Sequence, residues 1–398
     1  MKKYKMNNMV DVFMKKVAII GTVGIPANYG GFETLVENLV GENCPDNVKY
    51  TVYCSGKSYK SRKKEYKEAK LVYIPLKANG VQSTLYDIFS MIHAAFTSDV
   101  MLILGVSGCM FLPILRLFFW KKIIVNIDGL EHRRQKWGKF TKWFLKKSEA
   151  IAVRFANLIV TDNKAIQDYV TDEYDKRSVL IEYGGDHVIC DTSKKEEKVL
   201  NQYVLNKHDY SFTVCRIEPE NNIHVILEAF SKSSENLVMV GNWTKSSYGV
   251  NLLNKYEGFA NIKMLTPIYD LERLNVFRCN CKYYIHGHSA GGTNPSLVEA
   301  MFFARPVIAF DVVYNRETTE NRAVYFKDAD SLLSVLTNQN SAINYCGDVM
   351  LEIAEHRYLW NTIAGKYNRL YHKWTNYSLI QQVRNNRREL FYSKKKTA

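Results

Sequence analysis

Short runs of strand-forming residues alternate with helical runs along almost the whole chain, and this alternation restricts the fold more than any other feature. Six runs in the first half are typical of buried strands, at residues 16–21, 49–55, 70–76, 99–104, 122–127 and 157–162. Six more follow at residues 210–216, 236–241, 261–265, 281–287, 305–310 and 322–326. Because strands that alternate with helices form parallel sheets, the sequence predicts an α/β fold with two sheets wrapped by helices.

The length of 398 residues exceeds what one hydrophobic core usually serves, which predicts two domains. We place them at residues 1–190 and 191–375, because a polar, charged stretch at 184–202 separates the two series of strands. Open parallel sheets bind ligands at the carboxyl ends of their strands. Two facing Rossmann-like domains are therefore expected to hold a ligand in the cleft between them.

The formal net charge of +14 favours an anionic partner. Residues 132–148 contain seven Lys or Arg and no acid, interleaved with aromatic residues, which is typical of a helix on an anionic membrane surface. The alternative is a solvated basic helix whose aromatic side chains are buried in their own domain. No nucleic-acid-binding motif accompanies the charge, so nucleic acid is not an expected partner.

Eight cysteines are scattered along the chain, and residues 1–20 lack the continuous apolar segment and cleavage site of a secretory leader. A cytoplasmic protein with reduced thiols is therefore expected. Residues 100–120 are apolar over nearly the length of a bilayer span, but Gly105, Gly108 and Pro113 interrupt them. They are predicted to form a buried strand, a glycine loop and a short helix, with shallow insertion into one leaflet as the alternative.

Gly30 and Gly31 open the helix that follows the first strand. Glycines at a helix start allow close backbone approach, and the exposed N–H groups there favour an anion. The chain lacks the Gly-x-Gly-x-x-Gly pattern and the acid after the second strand that a nicotinamide cofactor requires, which argues against an oxidoreductase. A plain glycine turn is the structural alternative.

Arg216 ends the first strand of the second series, and Asn221 and Asn222 follow where a helix begins. A permanently charged guanidinium at the edge of a sheet is well suited to a diphosphate. Lys245, after the next strand, is a candidate second cation at the same edge.

The stretch "HSAGGTNPSLVEAM", residues 288–301, sets Glu299 among apolar residues. Thr293 or Asn294 is expected to cap a helix, and Gly291 and Gly292 to leave room for a phosphate at its start. A carboxylate one turn inside that helix can accept two hydrogen bonds from a ribose diol, which would offset its desolvation. The alternative is an acid satisfied by a neighbouring backbone group or cation.

A second loop, "NIDGLEHRR", lies at a strand end of the first half. Asp128, Glu131 and His132 are candidates for contacting the acceptor hydroxyl or the transferred sugar, and we treat them as the candidate catalytic residues. A purely structural loop is the alternative.

These segments together resemble a known family. The Gly30-Gly31 pair, the Arg216 strand end and "GGTNPSLVEAM" with "RPVIAFD" resemble the family 4 glycosyltransferases of GT-B fold. The motifs "GTVGIPANYGGFETL", "DGLEHRR", "RIEPENN" and "HSAGGTNPSLVEAM" look like a bacterial subgroup that contains rhamnosyltransferases of capsule and cell-wall polysaccharide assembly. The likeness covers about residues 14–390. Two positions depart from the family pattern, with Gly291 where a first acid precedes Glu299, and Asn221-Asn222 where a lysine follows the arginine.

The resemblance implies transfer of L-rhamnose from dTDP-rhamnose onto a lipid-linked saccharide at the inner membrane face, with retention and without a metal or other cofactor. It assigns Glu299 to the ribose and Arg216 to the diphosphate. It also implies that a final helix, residues 376–398, crosses back to the first domain. Two alternatives stay open: a different UDP or GDP sugar donor, or a non-catalytic lipid- or polysaccharide-binding protein on a transferase fold.

Overall fold

The computed structural model describes residues 14–27, 30–127, 129–134, 137–337 and 341–373. The first sheet has eight strands in the order β3-β4-β2-β1-β5-β6-β7-β8, parallel except for β3. Its strands are β1 Lys15–Ile20, β2 Val48–Ser55, β3 Glu65–Tyr66, β4 Ala69–Ile74, β5 Val100–Leu104, β6 Lys122–Ile127, β7 Leu158–Thr161 and β8 Val179–Leu180. Its helices are α1 Gly31–Leu39, α2 Ser83–Thr97, α3 Leu112–Phe118, α4 Lys139–Phe155 and α5 Lys164–Tyr174.

The second sheet has six parallel strands in the order β11-β10-β9-β12-β13-β14. Its strands are β9 Tyr210–Val214, β10 Asn236–Val240, β11 Ile262–Leu265, β12 Tyr283–His286, β13 Val307–Phe310 and β14 Val324–Phe326. The helices are α6 Ser193–Tyr203, α7 Ile223–Ser231, α8 Ser247–Tyr256, α9 Leu271–Asn280, α10 Pro295–Met301, α11 Val313–Thr318, α12 Ala329–Thr337, α13 Ser341–Arg357 and α14 Trp360–His372. The predicted fold class, two parallel-sheet α/β units, is confirmed.

Both sheets are buried on their two faces, which explains why their strands are almost uninterrupted apolar runs. In β1, Val17 and Ile19 contribute to one core and Ala18 and Ile20 to the other, because successive side chains point to opposite faces. The helices α2 to α5 cover the Ala18 face. The second sheet has the same two-sided arrangement.

The chain crosses back to the first domain earlier than the sequence analysis places it. The second domain was expected to continue to residue 375, but α13 ends at Arg357 and α14 begins at Trp360. Trp360, Ile363 and Tyr367 of α14 pack in the first domain's core, so α14 belongs to that domain. The break is stabilised by the segment between the sheets, where the Gly185 N–H donates to the Tyr358 carbonyl at 2.8 Å.

The rest of the predicted domain division is not decided by these observations. The predicted final helix at 376–398 lies outside the described residues. The predicted boundary at 190/191 falls between the last strand of one sheet and the first of the other, and it stays a prediction.

The apolar stretch 100–120 forms the strand β5, a loop and the short helix α3, as predicted. Arg116 points inward, where it donates to the Phe155 carbonyl at 3.0 Å and the Lys121 carbonyl at 2.7 Å. Among the helices of the described residues, none combines the length and apolar character that crossing a bilayer would require.

Candidate active site

The carboxyl edges of the two sheets face each other, and glycines bring them into contact. A Cβ atom on Gly129, in the loop after β6, would lie only 2.1 Å from the Cα of Gly291, which is too close for any side chain. A side chain on Gly292 would approach the Asp162 carboxylate to 1.9 Å. The Thr293 hydroxyl donates to the Asp162 carbonyl across the same gap. The sequence analysis expected Gly291 and Gly292 to face a phosphate, whereas in this arrangement they face the loops of the first domain.

The Gly30-Gly31 turn lies at this edge as well. Gly30 has φ +135°, a backbone conformation that residues with a side chain rarely adopt. A Cβ atom there would lie only 1.9 Å from the Glu33 carboxylate and would overlap it. Gly31 begins α1 and lies against Pro295, which begins α10. The two helix N-termini therefore approach each other across the cleft. Glu33, which the sequence analysis passed over, orders the turn by accepting from the Val23 N–H at 2.7 Å.

On the second domain, Arg216 follows β9 and its guanidinium lies 3.7 Å from Glu218. The asparagines near it are engaged within the protein rather than directed at open space. Asn221 donates to the Arg216 carbonyl at 2.6 Å, and Asn222 donates to the Gly287 carbonyl at 2.9 Å. Lys245 is exposed in a short turn after β10, at the same edge of the sheet.

His288 is a cleft residue that begins the motif "HSAGGTNPSLVEAM" and for which the sequence predicts no role. It is 8% exposed, and its Nδ1 lies 2.7 Å from the Asn221 side-chain oxygen. Burial, with the positive charges of Arg134 and Arg216, lowers its pKa to about 3, so the ring is neutral at neutral pH. Arg134 comes from the first domain and Arg216 from the second, so charges from both domains act on this ring. Arg134 stands in the quoted motif "DGLEHRR", but basic residues are too common there for the sequence to single it out.

Glu299 lies in α10, whose start is capped by Asn294 as predicted; the Asn294 side chain accepts from the Ser296 N–H at 3.0 Å. The carboxylate does not stand alone. It forms an ion pair with Arg278 of α9, whose side chain is 3% exposed, and lies 3.6 Å from His187 Nε2. Arg278 also donates to Asn275 at 3.0 Å. A cation therefore satisfies this acid, as the structural alternative supposed, and ribose binding stays a prediction.

Two of the three candidate catalytic residues, Glu131 and His132, are described in the loop after β6, whereas Asp128 lies outside the described residues. Glu131 bonds to Arg134 at 2.9 Å and accepts from the Trp137 ring N–H at 3.1 Å. His132 bonds through Nδ1 to Glu149 at 3.1 Å. These contacts hold both side chains in fixed orientations.

Glu149 is a buried acid in α4 that the sequence analysis did not identify. Its carboxylate also accepts from the Tyr169 and Tyr174 hydroxyls, each at 2.6 Å. Burial raises the pKa of Glu149, but the hydrogen bonds from His132 and the two tyrosines outweigh it, so the net shift is downward. An ionised Glu149 can only accept in this hydrogen bond, so the proton between them lies on His132 Nδ1.

No group of three or more His, Cys, Asp or Glu side chains within the described ranges is arranged to hold a metal ion. The expectation of metal-free chemistry remains a prediction, because Asp128 is not among the residues searched.

The fold and the cleft define a class of protein. The chain superimposes on sucrose-phosphate synthase from Thermosynechococcus elongatus with a TM-score of 0.73 and 15% identity, covering 90% of this chain and 98% of that one. It superimposes on HepE from Anabaena, in complex with UDP-glucose, with a TM-score of 0.71 and 14% identity, covering 89% and 99%. The catalytic domain of starch synthase IV from Arabidopsis thaliana, bound to ADP and acarbose, gives 0.66 and 11%, covering 90% and 99%. The shared architecture is the GT-B glycosyltransferase fold.

The two halves also match separate family models. Residues 195–335 match the glycosyl transferases group 1 family, and residues 14–186 match a domain of unknown function, DUF1972. No curated protein sequence is significantly similar to the chain. The chain thus has the GT-B fold, and its second half contains a domain that matches the glycosyl transferases group 1 family.

Proposed function

We propose that the chain transfers a sugar from a nucleotide diphosphate donor to a lipid-linked saccharide, and that the donor is dTDP-L-rhamnose. The observation that carries the proposal is the position of Arg134 and Arg216, which follow β6 and β9 at the carboxyl edges of the two sheets that meet at the cleft, where both positive charges lower the pKa of His288. Two fixed guanidinium charges at the meeting edges of two sheets suit a departing diphosphate, because they stabilise charge without having to reorganise during the reaction.

In the proposed reaction the bond between the anomeric carbon and the diphosphate oxygen breaks, while the acceptor hydroxyl oxygen bonds to that carbon on the same face. The acceptor proton passes to the departing diphosphate, and the configuration is retained. Glu131 and His132, with Asp128, would contact the acceptor or the transferred sugar. The bond from His132 to Glu149 supports this assignment, since it fixes the orientation of the imidazole ring and leaves Nε2 free of this bond.

The donor base and sugar rest on the motif resemblance, and a UDP-sugar is the second candidate. HepE, a fold relative, is described in complex with UDP-glucose, which favours testing that donor beside dTDP-rhamnose. The acceptor, the membrane location and the contact of residues 132–147 with an anionic surface belong to the same proposal. Their support is the basic, aromatic start of α4, where Phe140 and Trp143 are 76% and 55% exposed.

The test is a panel of nucleotide sugars scored by thermal shift, hydrolysis and transfer, with Arg216→Gln as the diagnostic variant. Hydrogen bonds to charged groups contribute about 1.5–3 kcal/mol, so donor affinity should fall roughly 10- to 100-fold. Arg322→Gln is the matched control, because Arg322 is exposed and precedes β14 at the opposite edge of the same sheet. Equal donor affinity in the two variants would contradict the proposed diphosphate site. If no nucleotide raises the unfolding temperature of the unaltered protein, the non-catalytic alternative is favoured.

A further inference from the structure

The helices α2 and α3 expose a large apolar surface on the outside of the first domain. Six side chains define what we call the α2–α3 face: Phe89, Ile92, Phe96, Leu117, Phe118 and Trp120. The last four are 72–76% exposed. Phe89, Ile92 and Phe96 follow helical spacing on one side of α2, and an edge-to-face contact between Phe96 and Phe119 at 4.9 Å joins the two helices. Contiguous exposed apolar surface of this kind marks an interaction site.

The exposed charged side chains of α2, α3 and α4 themselves are all basic. All of α2, α3 and α4 lies in the described part of the chain, and the two acids in these helices, Asp87 and Glu149, are buried. Lys139, Lys147 and Arg154 of α4 are exposed. The surface therefore combines apolar side chains with a cationic margin and presents no carboxylate from its three helices.

We infer that the α2–α3 face docks on a lipid bilayer with anionic headgroups, its apolar side chains entering the boundary between headgroups and acyl chains. This combination is the one that interfacial membrane binding uses. A second copy of the chain would bring the same cationic margin against itself. The segment 374–398 fits poorly for the same reason, since it carries six Lys or Arg and one acid.

Docking by this face would fix how the cleft is oriented relative to the membrane surface. Helices of a parallel α/β domain run antiparallel to its strands, so α4 starts at the cleft edge of the sheet and α3 ends at the opposite edge. The exposed aromatics Phe140 and Trp143 at the start of α4 thus extend the same side of the domain to the acceptor loop at 131–134. This docking inference rests on the proposed function in one respect only, namely that a lipid-linked acceptor would reach the cleft from the bilayer.

The test measures flotation of the full chain with vesicles of phosphatidylglycerol and phosphatidylcholine, in low salt and in 0.5 M NaCl, without any turnover assay. The diagnostic variant is Phe96→Gln/Leu117→Gln/Trp120→Gln. The matched control is Val250→Gln/Tyr269→Gln/Tyr345→Gln, which removes three exposed apolar side chains from the second half of the chain. We expect the diagnostic variant to lower the ratio of bound to free protein at least tenfold, the control to behave like the unaltered protein, and part of the binding to survive high salt, which screens only the cationic margin.

Several outcomes would overturn the inference. Failure of the unaltered chain to float, or equal flotation of the diagnostic variant and the control, would rule out the bilayer as the occupant. A fall in unfolding temperature unique to the diagnostic variant would show that these side chains pack within the folded chain and are not available to lipid. A change from dimer to monomer would assign it to a second copy. Because flotation needs no donor, a failed transfer assay would leave this result standing.

Discussion

Replacing Arg278 with leucine tests how Glu299 is held. The Arg278 side chain is 3% exposed and bonds to Glu299 and Asn275. Without it, the carboxylate keeps only the His187 ring, 3.6 Å away, and burial lowers the pKa of that histidine, so the ring carries little charge at neutral pH. Breaking a buried ion pair from one side costs about 3–5 kcal/mol. We expect the low end, about 3 kcal/mol, because Glu299 is 16% exposed and can gain some hydration.

The assay is thermal unfolding with a double-mutant cycle. For a domain of this size, 3 kcal/mol corresponds to a fall of roughly 6–12 °C in the unfolding midpoint. Glu299→Leu should lower the free energy of unfolding by a similar amount, because it leaves the buried Arg278 without its carboxylate partner. The double variant should be much less destabilised than the sum of the two, since it removes both buried charges together.

Additive effects of the two substitutions, or a loss below about 1 kcal/mol for each, would refute the buried pair. Donor binding by Glu299→Gln then separates the two roles of this acid. A variant that loses stability but binds nucleotide normally has a structural glutamate. One that also loses nucleotide affinity has a glutamate that contacts the ribose.

Two further predictions concern the first domain. Glu149→Gln should lower turnover roughly 10- to 100-fold and change the pH profile of the rate, because an amide no longer fixes the His132 tautomer. Glu173→Gln is the control, since Glu173 bonds to Lys146 at 2.8 Å but not to the histidine. An unchanged profile would leave Glu149 a purely structural role. Asp87 is buried beside Ser107, and burial raises its pKa to about 7. Its folded-state pKa thus lies above its unfolded value, so the free energy of unfolding should decrease as the pH rises from about 4 to about 7. Asp87→Asn should flatten that slope in urea titrations at several pH values, and an identical slope in both proteins would contradict the shift.

The strands were predictable because both sheets are buried on two faces, which leaves a strong signal of continuous apolar runs. The short strands β3 and β8 were missed because each has only two residues, which are too few to form such a run. Glu65–Tyr66 forms an antiparallel pair around a tight turn in which Lys67 and Glu68 have positive φ, and its two polar residues carry no such pattern. The position of α14 was also hidden. Its aromatic residues would suit the core of either domain, and only the contacts of the 358–359 break decide between them.

The site was predictable at the level of loops but not of contacts. Parallel strands place their following loops at one edge, so the glycine, arginine and glutamate motifs had to lie near one another. The partners of these residues come from distant parts of the chain. Arg278 lies in a helix between two strands and gives no signal until Glu299 is known to need a cation, and Glu149 is an ordinary helical acid in a basic segment until His132 is placed beside it.

Gly291 stands where the pattern of the resembled family has a first acid, and the backbone conformation at this position explains why a glycine is present. Its φ is +90°, a conformation that favours glycine, and Gly129 of the opposite domain lies against it. An acid here would strain the turn and bring a carboxylate next to the His288 ring. The chain has therefore given up a side chain at this position while it allows the two domains to approach backbone to backbone. The loop that carries Glu131 and His132 begins at Gly129, so it reaches the same point of the cleft as Gly291.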